Sequence, residues 1–181
     1  MSDIDDLKVL VMREAVKFGR FVLSSGKESD LYVDLRRVTL HPQGARLVGR
    51  LIFDRIKDRD IDAVGGMSIG ADPIATAVSL EALERGRTIV AFLVRKTAKT
   101  HGMGNAVEGP VRGGMRAVVV EDVITTGAST IAAIERAREA GMEVDLAVGV
   151  LDRNEGGRQA IEALGVTVVS LLTRDDLVPP A

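Results

Sequence analysis

The chain contains neither cysteine nor tryptophan, and has only two histidines, His41 and His101. The absence of cysteine excludes disulfides, thiolate zinc sites and a cysteine nucleophile, and fits a cytoplasmic protein. Two histidines leave no basis for a multi-histidine metal site. Aromatic residues make up 3% of the chain, so the core must be built from Val, Leu, Ile and Ala. That composition suits a parallel sheet covered by helices on both faces. A net charge of −2 offers no general attraction to nucleic acid or to an anionic membrane, so any anion site has to be local. The acidic start "MSDIDDLK" lacks an apolar signal core, and no apolar run approaches a membrane span. No repeat or low-complexity tract is visible. What remains is 46% apolar and 28% charged over 181 residues, which predicts one globular domain, residues 1–181, with a full core.

Residues 3–18 read as an amphipathic helix, with Ile4, Leu7, Val11 and Ala15 on one face, an Asp or Ser cap and Gly19 past the end. "RFVL" and "LYVDLR" read as two strands around the turn "SSGKESD". A helix is expected from about Pro42 to Lys57, proline suiting its first turn. From residue 61 the runs "IDAVGG", "TIVAFLV", "RAVVV" and "VDLAVGVL", with "VTVVSLL" as a fifth, alternate with helical stretches at Asp72–Glu84, Thr126–Ala140 and Gly157–Leu164. Such alternation predicts right-handed βαβ crossovers and a core parallel sheet over residues 60–172. Ligands of such sheets bind beyond the carboxyl ends of the strands. Residues 96–114 break the rhythm: a polar, glycine-rich connection stands where a crossover helix is due, and long loops of this kind are usually functional or disordered.

Four constellations carry chemistry. In "AVVVEDVITTGAST" a buried strand runs into Glu121 and Asp122, followed by Val123, Ile124, Thr125, Thr126, Gly127, Ala128 and Ser129 at a helix start. Backbone N–H groups and hydroxyls there suit a phosphate monoester, while the acids would accept hydrogen bonds from sugar hydroxyls. An ordinary helix cap explains the threonine–glycine half alone, but needs no paired acids. The closing Gly-Lys-Ser/Thr of a Walker loop is missing. In "VRKTAKTHGMGNAVEG", Arg95, Lys96, Lys99 and His101 gather with no acid among them, and the glycines after them suit a mobile loop of about residues 96–110 that closes over a polyanion. A solvated basic loop is the plainer reading. "GGMSIGADPIATA" offers small residues for close approach to a ligand and Asp72 as a cap before Pro73; tight packing explains it equally well. In "LDRNEGG", Arg153 could grip a planar carboxylate or form a surface ion pair. His41, before Pro42, reads as structural.

The first string closely resembles the phosphoribosyl pyrophosphate (PRPP) motif of type I phosphoribosyltransferases, and the second resembles the Arg-Lys-x-x-Lys-x-His-Gly loop of the orotate phosphoribosyltransferases. The likeness runs from about Ala15 to Leu172. It implies the type I phosphoribosyltransferase fold, with a mostly parallel sheet flanked by helices and a small N-terminal hood, within residues 1–40, over the base. It implies that Glu121 and Asp122 face the ribose hydroxyls and that Thr125 to Ser129 cradle the 5′-phosphate. Arg95, Lys96, Lys99 and His101 would serve the pyrophosphate as the catalytic cations, partly across a homodimer. Arg153, with Thr125 nearby, would bind the orotate carboxylate, and Tyr32 would stack on the pyrimidine. Mg²⁺ would arrive held mainly by PRPP, with no dedicated protein metal site, and neither nucleic acid nor membrane is expected as a partner. The chain departs from the family pattern at Ser24, where many members carry a lysine, and at Gly70, where some do, and lacks a second aromatic beside Tyr32. The role of the missing lysines is either vacant or passes to Lys27. The rival readings are a transferase for a purine or uracil, a PRPP-sensing regulator that binds nucleic acid, and a structural nucleotide-binding protein.

Overall fold

The computed structural model describes residues 2–22, 28–96 and 106–177. The first helix, α1 (Asp3–Glu14), starts on a capping box in which Ser2 and Asp5 satisfy each other's backbone N–H groups. It stops four residues short of the expected end at residue 18, because Val16 begins β1 (Val16–Val22), which pairs antiparallel with β2 (Glu28–Val33). The β-branched and aromatic residues there prefer the hairpin to a last helical turn. The second strand also ends early, at Val33, and Arg36 opens the short α2 (Arg36–Thr39). Asp34 makes the break by accepting from the Arg36 backbone N–H at 3.3 Å and from its guanidinium at 2.8 Å and 3.2 Å. The helix expected from Pro42 follows as α3 (Pro42–Ile56).

The remaining elements are β3 (Ala63–Met67), α4 (Asp72–Glu84), β4 (Val90–Val94), β5 (Val107–Glu108), β6 (Arg116–Ile124), α5 (Ala128–Glu139), β7 (Glu143–Asp152), α6 (Gly157–Glu162) and β8 (Thr167–Thr173). They form a six-stranded sheet in the order β5-β4-β3-β6-β7-β8, parallel throughout except for β5. Two positions differ from expectation. The connection 96–114 contains β5, a two-residue strand pairing Val107 with Val94 and Glu108 with Leu93, too short to leave a periodic signal. Asp72 does not cap its helix; Ala71 is the N-cap, and the Asp72 carboxylate accepts from Ser68 Oγ at 2.9 Å.

Both faces of the sheet are buried, which is why its strands read as unbroken apolar runs. Along β6, Val118 and Val120 join the core beneath α1, α3 and α4, while Ala117 and Val119 join the core beneath α5 and α6. The chain moves outward from β3 to β4, returns to the other side of β3 as β6, and then moves outward through β7 to β8. The β3–β6 seam is therefore the switch point, where crossovers leave in opposite directions and a crevice opens at the strand ends. Among the described residues no helix is long and apolar enough to cross a membrane.

Candidate active site

A cavity of about 710 Å³ occupies that crevice. Of the residues singled out in the sequence, Tyr32, Lys96, Glu121, Asp122, Val123, Thr125, Thr126, Ser129 and Arg153 line it. Arg95 does not: its guanidinium meets Glu108 on the antiparallel edge at 3.3 Å. Ile124 is buried in the core below the turn, and Gly127 and Ala128 form the turn and helix start without lining the cavity. Lys99 and His101, like Ser24 and Lys27, lie outside the described residues.

The two acids do not end the strand, since β6 continues past them to Ile124. Pairing with β7, from Glu121 opposite Gly149 to Ile124 opposite Asp152, carries the ladder past them. Glu121 is 6% exposed and accepts from Thr130 Oγ1 of α5 at 3.2 Å. Burial, and secondarily the charge of Asp122, push its carboxyl up to about 8. Asp122 is more open, and its Oδ1 accepts from the Val123 backbone N–H at 2.8 Å. Beneath it lies Gly70, where a Cβ would come within 2.7 Å of Asp122 Oδ1. The missing lysine side chain thus leaves the space that the Asp122 carboxylate occupies.

Gly127, at φ +81°, is the N-cap of α5, and Ile131 N–H donates to its carbonyl. The preceding helical amides have no acceptor within the helix and point toward the cavity end of β6. A Cβ on Gly127 would also stand 2.8 Å from the Gly157 carbonyl. Gly127→Ala is therefore expected to destabilise the fold by about 1–3 kcal/mol, a Tm fall of several degrees in a thermal melt. An unchanged melt would show that the turn relaxes freely.

Arg153 follows β7 on a turn fixed from below. Its backbone N–H donates to the Ile124 carbonyl at 2.9 Å, tying the exit of β7 to that of β6. Asp152, 1% exposed, accepts from Asn154 N–H at 2.9 Å and from Arg158 Nε at 3.2 Å. Arg158 in turn donates to the Val168 carbonyl and to Ser170 Oγ on β8. The Arg153 side chain is 6% exposed, with Nε on Glu155 Oε1 at 2.8 Å. A buried, oriented guanidinium on a cavity wall can take a planar anion with little reorganisation.

Several lining residues went unread in the sequence. Asp34 and Arg36 form the fork described above, and that contact holds the Asp34 carboxyl below its usual range. The spacing "DLR" offered a signal, but it read as strand alternation. Glu155 lies beside Arg153. Tyr32 does have an aromatic neighbour: the Phe21 ring lies 5.6 Å away, tilted by 37°, across the β1–β2 hairpin. Among the described residues no group of three or more His, Cys, Asp or Glu side chains could hold a metal ion.

A switch-point crevice with paired acids in one strand and an anion-ready helix start after it is the site of a phosphoribosyl-transferring fold. Residues 35–172 match the phosphoribosyl transferase domain, and the chain belongs to that family. Curated proteins that it resembles at 45–47% identity are orotate phosphoribosyltransferases. It is 46% identical over 179 residues to the one from Streptomyces avermitilis, covering 96% of this chain and 98% of the other. The Mycobacterium avium enzyme is 46% identical over 175 residues, covering 97% and 96%. Among solved structures, the Mycobacterium tuberculosis H37Rv orotate phosphoribosyltransferase in complex with Fe(III) dicitrate superposes with a TM-score of 0.88 at 46% identity, covering 98% of this chain and all of that one. The same enzyme in complex with PRPP gives a TM-score of 0.81 at 39% identity, covering 97% and 92%.

Proposed function

We infer that this chain is an orotate phosphoribosyltransferase, a pentosyltransferase that converts orotate and PRPP to orotidine 5′-monophosphate and pyrophosphate on the route to UMP. The observation that carries the reading is one cavity joining the acid pair, the phosphate-ready turn and a buried arginine, in a chain nearly half identical to enzymes of that name. The orotate ring nitrogen bonds to C1′ as the bond from C1′ to pyrophosphate breaks, so positive charge gathers on the sugar and negative charge on the leaving oxygens. The protein has to align, stabilise charge and exclude water; it needs no nucleophile of its own.

Position in the cavity supports the roles proposed for the residues that line it. Glu121 and Asp122 accept hydrogen bonds from the ribose hydroxyls, and the amides and hydroxyls of Thr125 to Ser129 hold the 5′-phosphate. Arg153 takes the orotate carboxylate beside Thr125, and Tyr32, backed by Phe21, covers the pyrimidine. Lys96 serves the pyrophosphate, together with Lys99 and His101 from the same segment, while Arg95, held by Glu108 on the antiparallel edge, would have to leave that contact to join them. Mg²⁺ fits this donor set as an ion that keeps waters and substrate oxygens, with Glu121 and Asp122 steadying the metal-bound sugar. When bound, it spreads the negative charge of the departing pyrophosphate.

Residues 1–181 act as one domain, with the β1–β2 hairpin as the hood over the base, in a cytoplasmic enzyme. The partner is a second copy of the chain, with some cations of the 96–110 segment serving the neighbouring site. This is supported by the exposed Leu40, Ile69 and Leu80 around a groove between α2–α3 and α4, which shares Arg36 and Ile69 with the cavity. The direct test is pyrophosphate release from PRPP and Mg²⁺ with orotate, uracil, adenine and hypoxanthine in parallel. Release with orotate alone is expected. Release with another base overturns the use of Arg153, and PRPP binding without release for any base favours a sensor.

A further inference from the structure

We propose that Arg136, on α5, is a positioning residue for Lys96: its guanidinium grips the backbone where β4 gives way to the cationic segment, and so sets where the Lys96 side chain meets the pyrophosphate end of the cavity. The inference rests on the reading of the site given above and extends it to a residue outside the cavity lining.

The geometry is a fork. Arg136 Nη1 donates to the Arg95 carbonyl, and Nη2 donates to the Lys96 carbonyl at 3.2 Å. The same Nη1 lies 3.9 Å from Met67 Sδ, at the end of β3. Lys96 is the second residue past the end of β4 at Val94, and it is also a cavity residue. Just before it, Arg95 N–H donates to the Ala106 carbonyl at 2.9 Å, and the Arg95 guanidinium meets Glu108. The two ends of the cationic segment are thus drawn together at a neck, and Arg136 clamps that neck from the helix side. Two consecutive carbonyls held by one planar group fix the two peptide planes that flank the Lys96 Cα, and together those planes set the direction in which the Lys96 side chain leaves the backbone. A lysine would reach one carbonyl as a single point donor and leave the other plane free to rotate.

The clamp also ties Lys96 to the phosphate turn. Gly127 to Ser129 begin α5, and Arg136 is two turns further along the same rigid helix. Phosphate bound at the start of α5 and a cation held from its third turn therefore share one frame. A small misplacement of a charge that stabilises a leaving group is felt in turnover before it is felt in base binding.

The test is a double-mutant cycle on the full-length enzyme with Arg136→Gln and Lys96→Ala, following kcat, the KM for orotate, the KM for PRPP and Tm. Arg136→Gln is expected to lower kcat by about five- to twenty-fold with the orotate KM within about two-fold, since the lost interaction acts on the leaving group and not on the base. Arg136→Lys should recover part of the loss. In the Lys96→Ala background, Arg136→Gln should cost less than about two-fold further, because the residue it positions is already gone. Full multiplication of the two effects overturns the proposal, as does an Arg136→Gln enzyme with wild-type turnover. A Lys96→Ala enzyme that turns over normally also overturns it, while orotate-dependent pyrophosphate release by the wild type leaves the assigned reaction standing. Should Arg136→Gln melt far below the wild type, Arg136→Lys decides: normal kcat with a normal melt sinks the positioning role.

Discussion

Arg153→Ala is expected to lower kcat/KM for orotate by about 10²- to 10³-fold while PRPP affinity stays within about two-fold of wild type. Two charge-assisted hydrogen bonds to a carboxylate contribute roughly 3–4 kcal/mol, which is two to three decades in rate. The large effect depends on preparation. The side chain is nearly buried, its Nε is fixed by Glu155 at 2.8 Å, and its backbone is tied to Ile124. The substitution also leaves the Glu155 carboxylate facing the cavity, so part of the loss could be repulsion of the substrate's own carboxylate. Arg153→Ala combined with Glu155→Gln separates the two: a defect that persists belongs to the missing guanidinium. Measured by initial rates over a grid of both substrates, equal losses for orotate and PRPP would remove the carboxylate role.

The second large effect is in stability against pH. Glu121 holds its proton up to about pH 8 in the fold, against an ordinary value of 4.5. Below the ordinary value both the folded and unfolded chains are protonated there. Between the two values the folded chain carries a proton the unfolded chain has released, so the derivative of unfolding free energy with pH is negative. This contribution is fully present in acid and is lost as pH rises through about 8, an effect on the order of a few kcal/mol. Asp34 and Asp176, held down by the Arg36 side chain and the Thr173 backbone N–H respectively, act in the opposite sense and only in acid. Thermal melts from pH 5.5 to 8.5 should therefore fall more steeply for the wild type than for Glu121→Gln, by several degrees across the range. Parallel slopes would mean that the carboxyl is ionised throughout. A ribose hydroxyl donates more strongly to the carboxylate form of Glu121 than to the carboxyl, so PRPP binding at neutral pH should also release a proton, seen by calorimetry in buffers of different ionisation enthalpy.

The alternation of apolar runs with helices made the α/β core readable, because strands buried on both faces leave runs such as Val118 to Val120 that nothing polar interrupts. The same logic misread Glu121 and Asp122 as a strand end. A polar pair in a ladder looks like a terminus until it is known that a cavity, and not the core, faces it. The chemistry of "EDVITTGAS" and of Arg153 was legible because each is local in sequence. Contacts joining distant segments were not: Phe21 meets Tyr32 across the hairpin, and Arg136 reaches Lys96 from 40 residues away. No pattern in a single sequence pairs those residues. Lys99 and His101, the cations that the motif identifies most directly, lie outside the described residues.

The close approach of Gly127 to Gly157 bears on what the enzyme can be made to accept. The phosphate turn and the helix that follows the Arg153 turn touch main chain against main chain, and the Arg153 N–H to Ile124 bond adds a second strut between them. The span from phosphate seat to carboxylate grip is thereby set by backbone, not by side chains that could be trimmed. The site works as a fixed gauge: substitutions along its walls can change which base is welcomed, but a product of a different length would require the two loops to be rebuilt together.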